Sequence, residues 1–129
     1  FKTDPIKISE NIFDKRKHDF ESANLMNCKE SVVFYDRGIH EITAYLNSIG
    51  KSTKYWDKVP FKYNYDLIFL FEPWKEIYKK DENRIEDFSD AEKISPFIVK
   101  VYRESQINMI KVPNFSIKER VKFILNNLP

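Results

Sequence analysis

Val32-Val33-Phe34-Tyr35-Asp36-Arg37-Gly38 is the stretch on which the fold turns. Ser31 to Tyr35 is short and rich in β-formers, the composition of a buried strand. The run ends in Asp36 and passes through Arg37-Gly38 into Ile39, Ile42, Tyr45, Leu46 and Ile49. Those residues keep helical spacing until Gly50, a C-terminal cap. A carboxylate between strand and helix stands at the carboxyl edge of a parallel sheet, where open α/β folds bind ligands. Asp36 either reaches a ligand there or caps the helix starting near Ile39 and pairs with Arg37.

Outward from this point, the chain alternates strands with helices. Ile8, Ile12, Phe13, Phe20 and Ala23 share one helical face upstream, with Lys15, Arg16, Lys17 and Asp19 mostly solvated. Asp66-Leu67-Ile68-Phe69-Leu70-Phe71 is the strongest strand signal, and Glu72-Pro73 ends it. Ser89-Asp90-Ala91-Glu92 has capping-box spacing, and Pro96 predicts a kink or a restart with Ser95 as cap. Phe97, Val101 and Tyr102 supply that helix's buried face. Ile107 to Val112 reads as a third strand. Ser116-Ile117-Lys118-Glu119 is a second capping box, opening an amphipathic helix through Val121, Ile124, Leu125 and Leu128. The alternation predicts a single α/β domain over residues 1–129, with a parallel sheet flanked by helices on both faces.

The 129 residues carry 22 Lys and Arg against 20 Asp and Glu, a net charge of +2. This near-balance argues against a nucleic-acid partner, which calls for a basic excess. The single Cys28 excludes an internal disulfide and a cysteine zinc site, and no apolar run has membrane-spanning length. A soluble, cytoplasmic protein with no membrane partner is expected.

The ordered motifs add a resemblance. Asp36-Arg37-Gly38-Ile39 with Glu41, Ala44-Tyr45-Leu46 and Gly50 resembles the AAA-type P-loop ATPase family and its kinase-like relatives. The likeness continues through Tyr65-Asp66, Phe69-Leu70, Pro73-Trp74-Lys75-Glu76-Ile77-Tyr78, Asp81, Asn83-Arg84 and Phe88. It resumes at Val101-Tyr102, Val112-Pro113, Glu119-Arg120-Val121 and Phe123-Ile124-Leu125. Coverage runs from about Phe13 to the C-terminus. Three departures stand out: Glu41 where the family has Asp, Glu72 for Pro, and Asn83 for Glu.

The resemblance implies a three-layer P-loop NTPase-like fold that binds ATP and Mg²⁺. Asp36 would organise the metal, with Arg37 and Gly38 beside the nucleotide. A charged lid over about residues 79–95 would close on the phosphates, with Arg84 stabilising transferred charge and Lys79 and Lys80 assisting. The lysines read more readily as a solvated face in which they and Arg84 pair with Asp81, Glu82 and Glu86. Glu41, one turn past the Asp-Arg-Gly motif, is the residue expected to touch a phosphate acceptor, either water or a small nucleoside-like molecule. His18 and His40 read as surface or core histidines, and Trp56 and Trp74 as packing anchors, Trp74 at the base of the lid. Tyr55, Trp56, Phe61, Tyr63 and Tyr65 form an aromatic cluster better suited to packing than to stacking on a base.

The family's opening GxxxxGK[ST] loop has no counterpart. Gly50-Lys51-Ser52 looks like its tail, but position 45 is Tyr and the segment follows a helix. In the family, the strand before that loop lies between the strands matching 31–35 and 66–71. An upstream strand–loop–helix is therefore expected in the whole protein, which starts here at Phe1; direct pairing of 31–35 with 66–71 would exclude it. A chain lacking that strand would dimerise or rearrange to satisfy exposed backbone groups. The competing expectation is a degenerate relative that has lost catalysis and serves as a binding or interaction module.

Overall fold

The computed structural model describes residues 4–25, 31–76 and 85–129, the side chains of 85–87 excepted. The described residues form two compact units, Phe1–Tyr63 and Asn64–Pro129.

The first unit is helical. Helix α1 (Pro5–Leu25) and helix α2 (His40–Ser48) pack together, followed by α3 (Lys54–Lys58) and a 3-10 turn, Val59–Lys62. Phe13, Ile39, Ile42, Leu46, Trp56 and Val59 make the core. Phe13 meets the rings of Trp56 and Tyr63 edge-on, at 5.7 and 5.9 Å between centroids, a favoured aromatic geometry. The end of α2 follows from Gly50, whose φ of 67° places it in the left-handed region. Lys51 N–H donates to Leu46 C=O at 2.8 Å and Gly50 N–H to Asn47 C=O at 3.1 Å, the paired bonds of a Schellman motif. Gly50-Lys51-Ser52 thus closes a helix. Thr53 then caps α3, accepting from Trp56 N–H, and the Thr43 hydroxyl donates to Trp56 C=O at 2.7 Å.

Residues 31–35, expected as a buried strand, form no strand, and Val32, Val33 and Phe34 are exposed, Phe34 by 62%. The cause is non-local. A strand exists only when a neighbour accepts and donates along its length, and none of the described residues does so here.

The second unit is α/β. Strand β1 (Ile68–Leu70) and strand β2 (Met109–Lys111) pair in parallel, with Ile68 opposite Met109 and Leu70 opposite Lys111. Between them runs α4 (Ile85–Glu104), and α5 (Ile117–Asn126) follows β2. Tyr65, Val101, Tyr102, Ile107 and Val112 are the buried apolar residues. Helix α4 continues through Pro96 without the expected restart, so the Ser89 capping box lies inside it. The second box is realised: Glu119 N–H donates to Ser116 Oγ at 3.2 Å, while the Ser116 hydroxyl donates to Glu119 Oε1 at 3.0 Å. Among the described residues the sheet has two parallel strands.

Candidate functional site

In the first unit, the Asp-Arg-Gly motif is a tight bend leading into α2. Arg37 has φ 73°, a left-handed conformation unusual for a residue with a Cβ. Such a backbone persists only where its surroundings enforce it. Two neighbours do so. The Gly38 carbonyl accepts from Arg16 Nη1 of α1 at 2.9 Å and from Glu41 N–H at 3.3 Å, and Gly38, Ile39 and His40 are buried. Arg16, read from the sequence as solvated, is half-buried and anchors the bend.

Asp36 does not cap α2. The residue at that position is Ile39, in right-handed helical conformation, whose side chain makes no capping bond. The capping role offered for Asp36 is therefore excluded, and its carboxylate stands exposed beside Arg37. Glu41 lies half-buried in the first turn of α2. His40 is fully buried, and desolvation lowers its pKa from 6.5 to about 4. His18 is exposed.

Among the described residues no three His, Cys, Asp or Glu side chains gather as a metal cage. A single exposed carboxylate such as Asp36 suits a different donor set. Mg²⁺ keeps several waters and is held by one or two carboxylates together with substrate phosphates. Asp36 fits that arrangement and does not fit a metal bound by protein alone.

In the second unit, the carboxyl edge of β1–β2 gathers Phe71, Glu72, Trp74, Lys111 and Arg120. Lys111 Nζ lies 2.8 Å from Glu72 Oε2, an exposed ion pair across the strand ends. The Trp74 indole N–H donates to Glu76. Arg120 Cζ lies 6.0 Å from the centre of the Phe71 ring and 5.9 Å from that of Trp74. The opposite edge holds an open groove of 410 Å³ lined by Asp66, Leu67, Asn108, Met109, Ile110, Asn127 and Pro129. That is the edge where α/β sheets do not place ligands. Lys79, Lys80 and Arg84 lie outside the described residues, as do Cys28, Ile77 and Tyr78.

The family match now bears on this geometry: residues 1–120 fit the model described as "AAA domain". The chain belongs to the AAA domain family. No curated protein and no solved structure matches it. Membership places the AAA domain among P-loop NTPase-type folds and accounts for the α/β character of the second unit. Among the described residues no helix is long and apolar enough to cross a membrane.

Two residues of these sites have no site role in the sequence reading. Arg16 gave no signal, because its contact with Gly38 spans 22 positions and depends on how α1 packs. Arg120 did give one. It is a cation in the first turn of a helix, where the macrodipole disfavours positive charge.

Proposed function

We propose that this AAA domain binds ATP with Mg²⁺ and, in its full-length form, transfers the terminal phosphoryl group to water or to a small nucleoside-like acceptor. The observation that carries this reading is the family match over residues 1–120. The strained Asp36-Arg37-Gly38 bend, enforced by Arg16, supports it, since backbone strain is retained where a geometry is needed. Asp36 would hold Mg²⁺ through the phosphates, and the metal would supply charge neutralisation on the phosphoryl oxygens. Arg37 and Gly38 would border the nucleotide, and Glu41 the acceptor. Arg84, with Lys79 and Lys80, would offset charge in transfer from a lid. The working form is a cytoplasmic, three-layer domain. The second reading is a non-catalytic binding or interaction module.

The test is ADP release by the full-length protein in a coupled assay, with and without nucleoside acceptors, beside calorimetry of Mg·ATP. Release in water alone marks an ATPase, and acceptor-dependent release marks a kinase. Binding without release selects the non-catalytic module, and no binding discards the nucleotide reading. Asp36→Ala is expected to abolish Mg²⁺-dependent turnover; full turnover in that variant would remove Asp36 from the mechanism.

A further inference from the structure

The second unit holds one cation in place without neutralising it. Arg120 sits in the first turn of α5, at cation–π distance from the rings of both Phe71 and Trp74. Its Nε is buried and has no hydrogen-bond partner among the described residues. Among the described residues, the carboxylates adjoining Phe71, Trp74 and Arg120 in sequence have other partners: Glu72 pairs with Lys111, Glu76 accepts from the Trp74 indole N–H, and Glu119 accepts from the Ser116 hydroxyl. Among the described residues Arg120 makes no ion pair. An arginine serving only as a structural tie would be expected to find an acceptor, because partial burial strengthens the demand of its donors.

We propose that Arg120, seated against Phe71 and Trp74 at the carboxyl edge of β1–β2, is a binding residue for an oxyanion, a phosphoryl or carboxylate group carried by a small ligand. The two rings restrain the side chain before the ligand arrives, so less side-chain entropy is lost on binding. The guanidinium fork matches two oxygens of one such group, and bidentate pairing is the strong form of this contact. The positive N-terminal end of α5 adds attraction of the same sign. Position on the sheet agrees, since this is the ligand edge of a parallel pair. The site belongs wholly to Asn64–Pro129 and does not depend on Asp36 or on turnover.

The experiment follows the Arg120 Nε–H resonance of the full chain by nuclear magnetic resonance during separate titrations with inorganic phosphate, ADP and succinate. Each is carried to about 10 mM, where a site of about 1 mM affinity would be nine-tenths filled. A saturable shift is expected with at least one. Phosphate with ADP identifies a phosphoryl site, ADP alone a nucleotide phosphate, and succinate alone a carboxylate site. Arg120→Lys keeps the charge but loses the fork; followed on the backbone amides of α5, which both proteins share, it should bind about tenfold more weakly. Lys118→Met, which removes an exposed charge from the same turn, should leave binding unchanged. Thermal unfolding of Arg120→Lys establishes that the variant is folded. No shift with any of the three, or undiminished affinity in folded Arg120→Lys, overturns the proposal and leaves Arg120 as a strut for Phe71 and Trp74.

Discussion

Acidification should destabilise the first unit through His40. This residue is completely buried at the start of α2, and desolvation holds its pKa at about 4 instead of 6.5. In the unfolded chain the imidazole takes up its proton as pH falls through 6.5. The folded protein does so only near 4, so between those values the unfolded state binds more protons. Stability therefore falls with pH across that window and is insensitive to His40 above it. A shift of two to three units, at about 1.4 kcal/mol each, gives a total loss of roughly 3 kcal/mol. About 2 kcal/mol of it is gone by about pH 5. The assay is urea unfolding followed by fluorescence of the buried Trp56, between neutral pH and about pH 4, for the native protein and His40→Gln. Carboxylates common to both proteins titrate in the same range, so the difference between the two profiles isolates His40. A urea-midpoint gap that changes by on the order of 1 M across the window fits the expected loss. Parallel profiles would refute it, as would a His40 ring resonance titrating near 6.5 in the folded protein.

Two further outcomes follow from the first unit. Arg37→Gly should raise stability by about 0.5–1 kcal/mol, the left-handed strain released less the entropy that glycine adds to the unfolded chain; a lower unfolding midpoint would show that the Arg37 side chain contributes more than its backbone strain removes. Phe13→Ala should cost about 3–5 kcal/mol, since it empties a core position touching Trp56 and Tyr63; a loss below about 1 kcal/mol in thermal or urea unfolding would mean that the core refills.

What the sequence disclosed divides by the range of the interaction. Gly50 ends α2, and Ser116 with Glu119 begins α5, as expected, because each feature is settled within about one helical turn. The β1 and β2 segments were legible too, as apolar runs between turn residues, though the realised strands are shorter than the runs. Ser31 to Tyr35 carries the same kind of local signal and forms no strand. Its state depends on a ladder partner that five residues cannot specify. The site divides likewise. The Asp-Arg-Gly bend was visible as a motif, but Arg16, which holds it, acts from another helix. The Arg120 cluster needed three separated segments to meet, and only its cation at a helix start pointed to it.

Apolar periodicity carries the same restriction. It correctly marks Ile117, Val121 and Leu125 as one face of α5, and Val32 to Phe34 as an apolar run. Yet Ile117 is 73% exposed, and Val121 and Leu125 are also exposed. A pattern of this kind states which surface gains free energy when covered, through apolar area removed from water. It does not state that the covering surface lies within the same 129 residues. The unit that did bury its pattern, α1 on α2 and the 3-10 turn, has both halves of each contact within Phe1–Tyr63. Amphipathicity is thus evidence about an element's preference, and the location of its complement decides whether that preference is met.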